Sequence, residues 1–205
     1  MMNSPSNVLH TGGAHGGDQF WERIAQTKGH SVKEYQFDGH KHTRVLDHTG
    51  QHTLVDLTPD DKELCRMALE TASSQMGRDL PSGAQLHLLE RDWILVHNSD
   101  ANSLYAVGHF DPDAESRLKI HGGTGWIMEL FLEHYMYKHN LYNNPGGKVS
   151  FSIKPLPIYF KSMSHNAQFQ GHYQLCLDGM NRFKWERVDQ IPDPKGNWIG
   201  VGARS

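Results

Sequence analysis

Two glycine clusters constrain this chain more than any other feature: Thr11-Gly12-Gly13-Ala14-His15-Gly16-Gly17-Asp18 and His121-Gly122-Gly123-Thr124-Gly125. Each follows a short run with strand character and precedes a stretch of helical periodicity. Asn7-Val8-Leu9-His10 leads into the first cluster. Phe20, Trp21, Ile24 and Ala25 follow it at helical spacing, with Gly29 as the stop. Ser31 to Phe37 then alternates as a strand does. This order is a β-loop-α-β unit, the building block of a parallel sheet.

The rest of the chain continues the alternation. Asp38 to Gln51 is polar and histidine-rich and reads as an exposed loop, and Leu54-Val55-Asp56-Leu57 reads as a short extended piece. Thr58-Pro59-Asp60-Asp61 is a helix start, with a capping hydroxyl, proline in the first turn and acids at the positive end of the dipole. Leu64, Met67, Ala68 and Ala72 form the expected apolar stripe of that helix. After Gly77-Arg78-Asp79-Leu80-Pro81, a second helix is expected to bury Leu86, Leu89, Trp93 and Val96 and to end at Asn98-Ser99-Asp100. Ser103 to Val107 reads as a buried strand. Ile127, Leu130, Phe131, His134 and Tyr135 mark one side of a helix after the second glycine cluster, and Pro157 to Phe160 a further strand. From about residue 161 the pattern loosens into an irregular C-terminal extension, with Tyr173–Leu177 and Arg182–Trp185 as expected edge strands. The expected fold is one α/β domain over 1–205, a Rossmann-like three-layer sandwich with a mostly parallel sheet.

Composition narrows the function. A chain of 205 residues with a formal charge of −3 lacks the basic field that bulk nucleic-acid binding needs. No apolar run is long enough to span a bilayer, and the start Met1-Met2-Asn3-Ser4-Pro5-Ser6 has no signal-peptide character. Cys65 and Cys176 are expected as free thiols in a reducing cytosol. His40, His42, His48 and His52 have no zinc-ligand spacing, so a solvated loop rather than a metal centre is expected, with Arg44 in the same segment as a candidate lid residue. Neither glycine cluster continues into Gly-Lys-Ser/Thr or has the full G-x-G-x-x-G spacing. ATPase chemistry and ordinary NAD binding are disfavoured, and no resident cofactor is expected.

A glycine turn between a strand and a helix lets backbone N–H groups approach a phosphate, aided by the positive end of the helix. Gly12, Gly13, Gly16 and Gly17, and Gly122, Gly123 and Gly125, are therefore candidate phosphate-binding residues. The alternative is that the glycines merely make tight turns. Thr124 and Ser99 can donate hydroxyl hydrogen bonds to a ligand or cap a helix. Asp18 reads as a helix cap or as a contact to a ligand's sugar. Glu129, just after the second turn, can orient a ribose hydroxyl, activate water or stabilise an oxocarbenium-like centre; it is equally a helix-start acid. Arg91 lies off the expected apolar stripe, either solvated or holding an anion through its planar fork, and Arg78 is a second anion-binding candidate. His15 and His121 sit inside the turns, as phosphate contacts or exposed loop residues. Trp126 is either core or a stacking platform for a base.

These turns resemble those of the SLOG superfamily of Rossmann-like nucleotide-binding proteins, which includes lonely-guy phosphoribohydrolases and putative molybdenum-cofactor carriers. His10 to Asp18 resembles the N-terminal "GGA-x-G-x-D" motif of that superfamily, and Gly122 to Glu129 is similar to the "GG-x-GT-x-EE" element of the phosphoribohydrolases. Arg91, followed by Asn98-Ser99-Asp100-Ala101, resembles the stretch that carries the active-site arginine of those enzymes. Gly77-Arg78, Leu88 to Trp93, Tyr105 to Gly108 and the tail Ile199 to Arg204 are similar to uncharacterised phage and bacterial members. The resemblance implies a nucleotide-like ligand between the turns, Arg91 and Glu129 as catalytic candidates for N-glycosidic hydrolysis, and a homodimer. Trp126 and Met128 stand where the hydrolases carry Thr and Glu, and His121 replaces a proline, which leaves Glu129 as the matching carboxylate. Three readings stay open: a nucleotide N-glycosidase, a non-catalytic binder or carrier of a nucleotide-derived signal or cofactor, and an interaction protein without a ligand.

Overall fold

The structure, a computed structural model, describes residues 7–37, 51–54, 57–111, 113, 117–141, 153–178 and 182–203, with backbone alone for 51–54. Eight strands form a single sheet. In chain order the elements are β1 (Val8–Thr11), α1 (Gly17–Thr27), β2 (Ser31–Gln36), β3 (Gln51–Leu54), α2 (Pro59–Met76), α3 (Ala84–Asn98), β4 (Ser103–Gly108), α4 (Gly122–Lys138), β5 (Lys154–Ser162), β6 (Gly171–Leu177), β7 (Phe183–Val188) and β8 (Asn197–Gly202). The strand order across the sheet is β3-β2-β1-β8-β4-β5-β6-β7. The six strands from β3 to β5 pair in parallel, and β6 and β7 add antiparallel pairs at one edge. The fold is α/β with three layers, as expected.

Strand alternation builds the two outer layers. Leu9, Val32, Tyr105, Val107 and Trp198 point to one face and pack on Trp21 and Ala25 of α1. Tyr35, Leu104, Ala106, Ile158, Phe160, Ile199 and Val201 point to the other and pack on α2, α3 and α4. The parallel strands are covered on both sides, which is why they read as short apolar runs rather than clean alternations.

Two expectations change. The helix start at Thr58 is a full capping box, with the Asp61 amide donating to Thr58 Oγ1 and the Thr58 amide to Asp61, both at 3.2 Å. The stripe behind it is rotated, however: Cys65, Leu69, Ala72 and Met76 are buried, while Leu64 and Met67 are 53% and 54% exposed. After residue 161 the strands expected at Tyr173–Leu177 and Arg182–Trp185 are present as β6 and β7 at one edge, but the segment is not an irregular extension, because it also supplies the central β8. The segment Asn197–Gly202 lies between β1 and β4, with Leu9 opposite Trp198 and Leu104 opposite Ile199. Apart from the backbone of His52, the histidine-rich loop with His40, His42, Arg44 and His48 lies outside the described residues, as does Arg204.

A central β8 is possible because its side chains leave room at two glycines. A Cβ on Gly200 would stand 2.7 Å from the Trp21 Cβ, and a Cβ on Gly202 would stand 2.4 Å from the Gly17 Cα. From the other side, a Cβ on Gly17 would stand 2.2 Å from the Gly202 Cα. The start of α1 and the end of β8 thus touch backbone to backbone. The Gly17 amide donates to Ala203 O (3.0 Å), and Trp21 Nε1 donates to Val201 O (2.9 Å). Gly17→Ala and Gly202→Ala are each expected to cost about 3 kcal/mol, as overpacking against an unyielding backbone does. Thermal unfolding should show that as a drop of roughly 6–12 °C for a domain of this size.

Candidate functional site

The carboxyl ends of β1, β8 and β4 meet where the sheet changes direction, with β2 and β3 to one side and β5 to the other. Open α/β sheets bind ligands at such switch points. A cleft of about 750 Å³ opens there, lined by both glycine-turn regions, Arg78, the start of α3, Arg91 and Asp92, His109 and the Val201–Ala203 end of β8. That volume suits a drug- or nucleotide-sized ligand.

The two glycine turns differ in chemistry. The first is closed by the protein itself. Arg91, 6% exposed, donates from Nη1 to Gly12 O at 2.7 Å, and a Cβ on Gly12 would stand 2.2 Å from its Cζ. Gly12 is glycine to admit a guanidinium, and Gly17 to admit Gly202. Gly13 and Gly16 adopt positive φ of 65° and 101°, conformations that favour glycine. Asp18 caps nothing in the ordinary sense: its Oδ2 accepts from the Ala14 amide (2.9 Å) and its Oδ1 from the Gly202 amide (3.0 Å). It staples the turn to the end of β8. Ala14 and Asp18 line the cleft, whereas Gly12, Gly13, Gly16 and Gly17 are not among its walls. For these four glycines, expected at a phosphate, the structure shows packing and turn geometry.

The second turn is open. Gly122 and Gly123 line the cleft, and a Cβ on either would meet no atom within 4 Å. They are the first residues of α4, whose cap residue His121 makes no side-chain capping bond and whose first turn holds no acid. The leading amides of an α-helix have no partner inside the helix and carry the positive end of its dipole. Thr124, also a wall residue, has a buried Oγ1 without a hydrogen-bond partner. Gly125 lets the turn close, since a Cβ there would stand 2.5 Å from Ile120 O. Arg78 braces the same turn, donating from Nη2 to Ile120 O (2.5 Å) and from Nη1 to Gly122 O (3.4 Å) while it faces the cleft. His121 Nε2 lies 2.7 Å from Asp111 Oδ2 at the rim. Trp126 is both core and wall: it is buried and lines the cleft beside Leu88, Leu89 and Ile127.

Two expected site residues lie elsewhere. Glu129 is fully buried and is not a wall of the cleft; its Oε1 accepts from Arg117 Nε at 2.8 Å, and Arg117 also bridges to Glu133. Glu129 Oε2 is buried and has no hydrogen-bond partner. Ser99 ends α3, where its Oγ donates to Val96 O and accepts from the Ala101 amide, each at 3.3 Å. Strand β4 separates it from the carboxyl edge, about 20 Å for six residues. His15 is not among the cleft residues. Conversely, Asp92, His109 and the end of β8 form walls that sequence reasoning passed over. The available signal was Arg91-Asp92, an adjacent charge pair directly before the apolar run Trp93-Ile94-Leu95-Val96.

Among the described residues, no group of three His, Cys, Asp or Glu side chains could hold a metal ion, and no helix is long and apolar enough to cross a membrane. Buried acids near the first turn set its electrostatics. Burial pushes the Asp18 carboxyl up to about 6, with Arg91 opposing. Burial, then Glu34 and Asp18, push Glu22 on α1 up to about 8, and its Oε1 has no hydrogen-bond partner. A carboxyl raised in the folded state contributes stability that is lost as pH rises, here between its ordinary 4.5 and about 8. Glu22→Gln is therefore expected to stabilise the protein at pH 8 by roughly 1 kcal/mol or more and to change little at pH 4. Urea unfolding at the two pH values checks this.

No family model matches the chain, and neither a curated protein nor a solved structure matches it.

Proposed function

We propose that the cleft binds a phosphate-bearing, nucleotide-type ligand, with the phosphate at the N-terminus of α4 and the apolar part against Trp126, Leu89 and Ile127. The observation that carries this reading is the open second turn: Gly122 and Gly123 face the cleft with no side chain, cap or acid to satisfy the helix end. Anions bind such helix ends through amide hydrogen bonds and the dipole together. The unpartnered hydroxyl of Thr124 and the guanidinium of Arg78 support the same end of the cleft. The aromatic and aliphatic wall supports a flat, partly apolar group such as a base.

Binding without turnover fits the geometry better than N-glycosidic hydrolysis. The hydrolytic reading needs Glu129 at the ligand, and Glu129 is instead held by Arg117, away from the cleft walls. The protein is thus a binder or carrier of a nucleotide-like molecule.

Gly123→Glu separates folding from binding. A carboxylate in the first turn of α4 satisfies the helix end and occupies the anion position. Its expected effect on stability is neutral to favourable, by about 0.5–1 kcal/mol. Affinity for a nucleoside monophosphate, read by calorimetry, should fall at least tenfold. A Gly123→Glu protein that binds the nucleotide as tightly as wild type would place the phosphate elsewhere. Incubation with a panel of nucleoside monophosphates should release no free base. Base release that disappears in Glu129→Gln would restore the hydrolase.

A further inference from the structure

The cleft has an acceptor as well as an anion pole. Asp92, 5% exposed, follows Arg91 on α3 and lines the cleft. Arg91 donates to it from Nε (3.1 Å) and Nη2 (2.6 Å), and both bonds end on Oδ1. Oδ2 lies outside this fork. Asp18 is the other buried carboxylate on the cleft wall, and both of its oxygens are taken, by the amides of Ala14 and Gly202. Asp92 Oδ2 is therefore the carboxylate oxygen of this pair left for a ligand.

Three features give that oxygen a recognition role. Its plane is fixed, because Arg91 is itself anchored to Gly12 O and has no freedom to swing (2.7 Å). Burial strengthens any hydrogen bond it accepts and penalises a ligand that leaves it unpaired. A phosphate oxygen offers it no donor, so a ligand that satisfies it enters with its phosphate toward α4 and a donor-bearing end toward Asp92.

We propose that Asp92 is the specificity-determining acceptor of the cleft, selecting phosphate-bearing ligands that carry a hydrogen-bond donor at the end remote from the phosphate. This rests on the phosphate subsite assigned above to the start of α4. The donor tested is a sugar hydroxyl or an exocyclic amine, either of which pairs with a carboxylate. Arg91 acts as a positioning residue: it holds Oδ1 and leaves Oδ2 oriented toward the ligand.

The test uses the intact protein and calorimetry with four probes: inorganic phosphate, AMP, 2′,3′-dideoxy-AMP and IMP. Wild type should bind AMP at least tenfold more tightly than the probe that lacks the donor. Loss on dideoxy-AMP assigns the sugar hydroxyls, and loss on IMP assigns the amine. Asp92→Asn keeps an oxygen for Arg91 but offers N–H groups where Oδ2 stood. In that variant AMP and the weaker probe should bind equally, while inorganic phosphate binds as to wild type. If AMP, dideoxy-AMP and IMP bind wild type within twofold of one another, the acceptor role is overturned and the phosphate subsite survives. If none of the probes binds, phosphate included, both readings fall. The wild-type series decides the matter even if Asp92→Asn does not fold.

Discussion

The contact between Gly17 and Gly202 constrains the sheet from its centre: a Cβ on either residue would lie within 2.4 Å of the other's Cα. It brings the start of α1 against the end of β8 and leaves no space for a side chain or a ligand between them. The insertion of β8 between β1 and β4 is completed at this point, because Ala203 N donates to Val107 O on β4 while Ala203 O accepts from Gly17 N. Three elements that are remote in sequence are joined by backbone bonds at the carboxyl edge of the sheet. The first glycine turn is therefore part of the scaffold at Gly12 and Gly17, while Ala14 and Asp18 of the same turn line the cleft with Gly122 and Gly123 of the second.

The strand–helix alternation was legible because each element is local: caps, glycine stops and apolar periodicities lie within a few residues of one another. The helix start at Thr58 could be read for the same reason, since its capping partners are three residues apart. What stayed hidden depends on distant partners. Gly12 and Gly122 look alike in sequence, yet one is pressed against Arg91 and the other meets open space. No local pattern distinguishes them, because the deciding atom lies 79 residues away in the Arg91 bond. The place of β8 was missed in the same way: a six-residue strand with two glycines has weak propensity, and only its neighbours on both sides make it central.

Arg91 and Glu129 show how burial reassigns charged residues. Helical spacing placed Arg91 off the apolar stripe of α3, which suggests solvent, but the surface beyond that stripe is the floor of the first turn. There the guanidinium is satisfied by Asp92 and by a main-chain carbonyl, so burial costs less than for a lone charge. Glu129 follows the same rule with Arg117 as its partner. In both cases an ion pair makes burial possible, with Arg91 at the cleft wall and Glu129 away from it.

The asymmetry of the two turns follows from how each helix end is neutralised. Helices α1 and α4 present equivalent positive ends at the same edge of the sheet, and their glycine clusters have similar composition. In α1 the first turn contains Asp18, which is tied to Ala14 and Gly202. In α4 the first turn contains no acid, and its cap residue makes no side-chain capping bond. A dipole already paired with a carboxylate gains little from an external anion, whereas an unpaired one gains the full interaction. One carboxylate position, present at Asp18 and absent between Gly122 and Gly125, thus sets apart two glycine turns that otherwise look interchangeable, and the proposed phosphate subsite follows from that difference. Asp18 and Asp92 line the same cleft as hydrogen-bond acceptors held around one guanidinium, that of Arg91. A ligand of the proposed kind, anionic at one end and donating hydrogen bonds at the other, would satisfy both the start of α4 and Asp92 in a single orientation.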